Sequence, residues 1–158
     1  MKINQLSIFL ENQPGHLAAP CAILADAGIN ILTLTLADTR GFGILRLILK
    51  EWEQAWKILE AKGFIVKVTE VVAIQVDDRP GGLRKLLEIV EASCVNIEYM
   101  YAFTVRTGGN AVMVFRLDDT DKGIAALLNA GADILSAAEL YELGGQGGAR
   151  PIAPDHRL

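Results

Sequence analysis

The chain has 158 residues, 51% of them hydrophobic and 22% charged, with 15 Lys and Arg against 19 Asp and Glu for a net charge of −4. That apolar share supports burial rather than disorder, and the negative balance argues against a basic nucleic-acid-binding face. The longest stretch without a charged residue, 12–25, is 14 residues long and carries two prolines, too short for a membrane span of ~20 apolar residues.

In chain order, residues 3–10 alternate, Leu6, Ile8 and Leu10 against Gln5, Ser7 and Phe9, which predicts a strand. Residues 15–27 place Leu17, Cys21, Leu24 and Ala25 at helical spacing and stop before Gly28, a favourable helix end. Pro20 lies inside that run; without an N–H it predicts either a late helix start or a longer, more open loop. Residues 31–36 alternate again, 38–41 form a turn, and 42–49 return as the second arm of a hairpin. A helix follows over 51–62, with Trp52, Ala55, Trp56 and Leu59 on its core face, and Gly63 closes it before a strand at 64–68. The second half repeats the series: strand 71–76, helix 82–93, strands 97–105 and 111–117, helix 119–130 and strand 134–135.

The repetition extends to individual residues. Gln13-Pro14-Gly15-His16-Leu17 recurs as Arg79-Pro80-Gly81-Gly82-Leu83 at an offset of 66, which also pairs Asn30-Ile31 with Asn96-Ile97. Past residue 38 the offset becomes 68, aligning Leu59 with Leu127 and Gly63 with Gly131, because two residues are added near 107–110. Turns tolerate such insertions. The expected organisation is a first unit over 1–70, a second over 71–143 and an extended tail over 144–158, where four Gly and two Pro fall within fifteen residues. Each unit reads βαββαβ. The expected fold class is α+β, two ferredoxin-like units with antiparallel sheets and helices on one face.

Catalytic and metal signatures are sparse. Cys21, Cys94, His16 and His156 have no metal-type spacing, and the two thiols are expected to be buried packing groups. No catalytic residue, metal or cofactor is assigned. Residues 1–5 lack the apolar core of a secretory signal, so the expected setting is cytoplasmic. The connection from the first strand to the first helix of each unit is the informative place. Pro-Gly makes a tight turn, the amides at the helix start suit a carboxylate, and Asn12 and Asn30 can donate and accept at once. The same residues also serve as an ordinary helix cap and turn residue. Tyr99 and Tyr101 share one side of a strand, either lining a pocket or packing an interface. Arg46, in an otherwise apolar strand, either pairs with a carboxylate or lies on an exposed face.

The pattern of strand, [N/D]-x-P-G-x-L, helix, then G-[I/V]-N-I and strand resembles the ACT domain, a regulatory module attached to enzymes of amino-acid metabolism. Unit one carries it as Asn12-Gln13-Pro14-Gly15-His16-Leu17 and Gly28-Ile29-Asn30-Ile31, and unit two as Asp78-Arg79-Pro80-Gly81-Gly82-Leu83 and Cys94-Val95-Asn96-Ile97. The runs 96–103 and 42–47 are similar to those of stand-alone tandem ACT proteins without a catalytic domain. The resemblance implies a non-catalytic regulatory protein that binds a free amino acid at the interface between domains paired side by side in an eight-stranded sheet. The implied contacts are Asn12, Gln13, Pro14, Gly15, His16, Leu17, Asn30 and Ile31, with Asp78, Arg79, Pro80, Gly81, Gly82, Leu83, Asn96 and Ile97. Cys94 in place of glycine, Asp78 in place of Asn, and Pro20 set the two sites apart.

A homodimer is expected as well, because residues 31–36 form a charge-free edge strand that invites a partner. A protein target downstream is a further expectation, with no nucleic acid and no membrane as partner. Competing readings are an interaction scaffold without a ligand, an acylphosphatase-like hydrolase using Arg79 and Asn96, and an RNA-binding fold, which needs exposed aromatics on the middle strands of both units.

Overall fold

A computed structural model describes residues 1–38, 41–107 and 109–145. The elements are β1 (Lys2–Glu11), α1 (Ala18–Asp26), β2 (Ile31–Asp38), β3 (Phe42–Leu49), α2 (Trp52–Ala61), β4 (Ile65–Asp77), α3 (Gly82–Ala92), β5 (Ile97–Thr107), β6 (Asn110–Leu117), α4 (Thr120–Asn129), β7 (Ile134–Leu135) and α5 (Ala137–Gly145). Every strand pair is antiparallel. The sheet runs β2-β3-β1-β4-β6-β5, with β7 also on β4. Two ferredoxin-like units result, β2-β3-β1-β4 and β5-β6-β4-β7.

The two units share one strand. Its first half pairs with β1, from Phe9 opposite Ile65 to Lys2 opposite Val72. Its second half pairs with β6, from Val72 opposite Phe115 to Asp77 opposite Asn110, and with β7 at Ala73 and Ile74. The separate strands expected at 64–68 and 71–76 are therefore one strand of 13 residues, which also crosses position 70. Nothing between Ile65 and Val76 could turn the chain: the stretch holds no Gly, Pro, Asn or Asp and is rich in Val. This sharing replaces the eight-stranded, side-by-side sheet implied by the resemblance with one seven-stranded sheet.

Alternation along the strands divides the apolar residues among three cores. Leu6, Ile8, Leu10, Leu45, Leu47 and Leu49 pack under α1 and α2 with Leu24 and Leu59, and both Trp52 and Trp56 lie against this cluster. Val72, Ile74, Val76, Phe115 and Leu117 pack under α3 and α4 with Leu86, Val90 and Leu127. The residues of opposite parity, Ile3, Ile48, Val71, Ala73, Val112 and Val114, meet Phe103 and Leu140 in a third core. There the helix-free faces of the two units turn toward each other, and α5 packs between them.

Three local departures have physical causes. Helix α1 starts at Ala18, two residues later than its counterpart α3 at the 66-residue offset, so Pro20 falls in the first turn, where no intrahelical N–H is needed. Helix α5 was not expected from hydrophobic spacing. A reciprocal cap starts it, the Glu139 amide donating to Ser136 Oγ at 3.2 Å and the Ser136 amide to Glu139 Oε2 at 2.7 Å. It takes in Gly144 and Gly145; the rest of the expected tail, 146–158, lies outside the described residues. Cys94 is exposed and Cys21 half-buried, contrary to the burial expected for both. Cys94 ends α3 with φ +52°, where Gly28 ends α1 with φ +69°, and such a turning point lies at the surface.

Candidate functional site

The two strand-to-helix turns have the same hydrogen-bond skeleton. In unit one the amide of Asn12 donates to Gly41 O, Gln13 to Glu11 O, His16 to Gln13 O and Ala19 to Gly15 O. In unit two Asp78 donates to Gly109 O, Arg79 to Asp77 O, Gly82 to Arg79 O and Lys85 to Gly81 O. Each donor and acceptor corresponds at the 66- or 68-residue offset. Gly15 and Gly81 both take φ +89°, a left-handed conformation that glycine adopts without strain. Asn12, Gln13, Pro14, Gly15, His16 and Leu17 thus form one turn, and Asp78, Arg79, Pro80 and Gly81, with Gly82 and Leu83 opening α3, form the other.

Asn30 and Ile31 do not join the first turn. Strand β2 runs parallel to β1, both antiparallel to β3; Ile31 lies opposite Leu49, whereas the turn follows Glu11, opposite Phe42. The separation is the length of β1's pairing with β3, ~20 Å at ~3.3 Å per residue. Asn96 and Ile97 stand likewise at the far end of unit two, Ile97 opposite Leu117 while Asp77 is opposite Asn110. The Asn96 amide there donates to Asp118 Oδ1 at 2.9 Å. Arg79 and Asn96, the pair on which a hydrolase would depend, are therefore held apart. The two turns sit at opposite ends of the 13-residue β4, ~40 Å along the strand. The two turns are therefore separate places on the chain.

Arg79 is engaged within its own loop. Its Nε and Nη2 donate to Asp77 Oδ2 at 3.0 and 2.7 Å. Both groups are largely exposed, so the pair orients the side chain more than it stabilises the fold.

Beside each turn lies a cleft, at equivalent positions but with different linings. Unit one's cleft, about 400 Å³, is walled by Phe9, Glu11, His16, Phe42, Phe64 and Ile65. Unit two's, about 290 Å³, has Gln75, Asp77, Gly82, Asn110, Ala132 and Asp133 in those places. Apolar side chains in the first are strongly exposed, Phe42 by 62% and Ile65 by 71%. Leu17, Leu34 and Leu36 are also exposed on the same unit. The sequence reading found the turn residues but not Phe9, Phe42, Phe64 or Ile65. Their signal was available, as apolar residues at strand ends whose counterparts in the repeat are polar or small.

Between the units, Gln5 is fully buried. Its Nε2 donates to Ser7 Oγ at 3.0 Å and to Tyr99 Oη at 2.8 Å, and Tyr101 Oη donates to Gln5 Oε1 at 2.9 Å. Both tyrosines thus bind the two units together. Burial, followed by the neighbouring Tyr99, pushes the Tyr101 hydroxyl well above its usual pKa, with Arg46 acting in the opposite sense. Arg46 takes neither expected role; its guanidinium lies 4.0 Å from the centre of the Tyr99 ring.

The family model described as ACT domain pair matches residues 1–143. Among solved structures, protein BT0572 from Bacteroides thetaiotaomicron is 40% identical, with a TM-score of 0.84 over 90% of this chain and 98% of that one. The ligand-free regulatory subunit of aspartate kinase from Thermus thermophilus is 18% identical, with a TM-score of 0.59 over 80% of this chain and 91% of that one. Its Thermus flavus counterpart is 19% identical, with a TM-score of 0.55 over 81% and 92%. At those identities the two kinase subunits are similar in fold. Comparison with curated proteins gives no match. No helix among the described residues is long and apolar enough to cross a membrane. With two copies of the motif on two ferredoxin-like units and a family match over residues 1–143, the chain belongs to the ACT domain pair family.

Proposed function

We propose that the chain is a non-catalytic, cytoplasmic regulatory module that binds a free amino acid at the first turn, with 1–70 and 71–143 as its two functional units. The observation that carries the reading is the juxtaposition of the Asn12–Leu17 turn with an apolar cleft of about 400 Å³, within the size range of small-molecule sites. The start of α1 suits the ligand's carboxylate, and the Glu11 carboxylate and Asn12 suit its ammonium. Phe9, Phe42, Phe64 and Ile65 suit an apolar side chain.

A second copy of the chain completes the site. Strand β2 ends the sheet and exposes Leu34 and Leu36, an apolar edge that favours pairing. Antiparallel pairing of two β2 strands sets the start of one beside the end of the other. The partner's Asn30 then lies toward the turn from which this chain's own Asn30 is remote. The second turn, with Asp78 and the engaged Arg79, binds less well.

A thermal-shift screen against the common amino acids tests the reading, since a ligand of the native state raises the melting temperature by mass action. Calorimetric titration of the responding amino acid is then expected to show Asn12→Ala and Asn30→Ala weakened at least tenfold, ~1.4 kcal/mol in binding. Asp78→Ala should lose less. Absence of any shift at millimolar amino acid overturns the ligand class. A single-chain mass by sedimentation equilibrium at micromolar concentration overturns the dimer.

A further inference from the structure

Away from both turns, a cavity of about 190 Å³ opens between the helix-free faces of the two units. Ser7, Arg46, Lys67 and Thr69 line it from unit one, and Glu98, Tyr99 and Arg116 from unit two. Three cations therefore face one carboxylate, in a chain whose net charge is −4. All three lie on strands at positions facing away from the helices, the parity that elsewhere supplies the third core.

The carboxylate is already committed. Arg116 Nε donates to Glu98 Oε2 at 3.1 Å, and Arg116 Nη1 to Glu70 O at 3.1 Å and Thr120 Oγ1 at 3.2 Å. Arg116 is thus held in place and balanced by Glu98, which leaves Arg46 and Lys67 as the cations of the cavity without a carboxylate partner among the described residues. Lys67 makes no ion pair among the described residues. Arg46 stacks on Tyr99, which serves the face of the guanidinium, but its buried Nε has no protein acceptor. Stacking leaves the in-plane N–H groups unserved, and a buried donor is normally paired.

We propose that this cavity binds a small oxyanion, a carboxylate or a phosphate, held in the plane of Arg46 and by Lys67. An oxyanion supplies an acceptor for the in-plane N–H groups of Arg46 that face the cavity, in the charge-assisted geometry that guanidinium favours. At about 190 Å³ the cavity has room for phosphate or a short mono- or dicarboxylic acid. Because its walls come from both units, the anion ties them together and stabilises the fold when bound. The cavity adjoins unit one's cleft at Phe9, which lines both, but takes no residue of the Asn12–Leu17 turn.

The test is thermal shift at low ionic strength with inorganic phosphate, acetate and succinate as probes, against sodium chloride at matched ionic strength. At least one probe is expected to raise the melting temperature saturably beyond chloride, and the responding probe tells phosphate from carboxylate. Lys67→Gln, an exposed change that leaves the fold intact, and Arg46→Gln are expected to weaken the response about fivefold and tenfold, respectively. Asn12→Ala should leave it unchanged, which separates this site from the amino-acid turn. If Arg46→Gln does not fold, Lys67→Gln decides. No probe exceeding chloride, or a wild-type response in Lys67→Gln, overturns the proposal.

Discussion

Unit one and unit two have one backbone and two chemistries. The agreement covers both turns and the exits of all four principal helices. Gly28 N donates to Ala25 O as Cys94 N does to Glu91 O, and Phe64 N to Leu59 O as Ala132 N does to Leu127 O. Even the irregularity early in the second strand recurs, between Ile31 and Thr33 in β2 and between Ile97 and Tyr99 in β5. The differences are in side chains. An apolar cleft in one unit is a mixed polar and apolar one in the other, and Thr33 of β2 corresponds to Tyr99 of β5. Backbone hydrogen bonding tolerates few alternatives, so the repeat persists there. Side chains beside a turn carry little of the fold and are free to diverge.

The sharpest way to break this equivalence is at the position where His16 stands in one turn and Gly82 in the other. A Cβ on Gly82 would collide with the carbonyl oxygen of Asp77, a backbone atom that cannot swing aside. The first turn accommodates a full side chain there because α1 starts two residues later than α3. Gly82→Ala is therefore expected to cost about 3 kcal/mol or more, and His16→Gly no more than about 1 kcal/mol. Urea unfolding of both variants checks the pair. Equal losses would mean that the turns are alike after all.

That asymmetry marks the limit of what the residues alone disclosed. Both βαββαβ units followed from alternation, helix-ending glycines and the 66-residue repeat, because those signals record backbone demands directly. The Pro20 anomaly was visible and its consequence, a late helix, came with it. What stayed hidden depended on the two units meeting. Strand parity marks Arg46, Lys67 and Arg116 as facing away from the helices, but a lone unit would leave them in solvent. Only the closing of one helix-free face on the other makes a cavity of them and buries Gln5 against two tyrosines. Helix α5 is signalled by Ser136-Ala137-Ala138-Glu139, a capping-box sequence, whereas Gly144 and Gly145 beyond it point to a tail.

A smaller effect sharpens the comparison at the first helix exits. Cys94 holds φ +52° where unit one has a glycine, and a left-handed residue with a Cβ costs roughly 1–2 kcal/mol. Glycine also costs some unfolded-state entropy, ~0.5–1 kcal/mol. Cys94→Gly is thus expected to stabilise by about 0.5–1 kcal/mol, and Gly28→Ala to destabilise by a similar amount. Thermal denaturation under reducing conditions measures both. Destabilisation by Cys94→Gly would show that the thiol makes a contribution that its exposed position does not suggest.

The smallest expected effect concerns how each unit ends. Unit one's last strand continues straight into unit two, whereas unit two turns after β7 into α5, whose first turn closes on Glu139. Hydrogen bonds from the Ser136 side chain, then its backbone, hold the Glu139 carboxyl below its ordinary pKa of 4.5. A carboxylate whose folded-state pKa is lowered adds stability above its unfolded pKa, and loses it as the pH falls through the folded value. The contribution is small because Glu139 is exposed. Comparing wild type with Glu139→Gln isolates it from the other carboxylates that titrate in the same range. Wild type should be the more stable at neutral pH, and the two denaturation midpoints should converge between about pH 5 and pH 3. A difference that persists unchanged at low pH would assign the role of Glu139 to its shape and not to its charge.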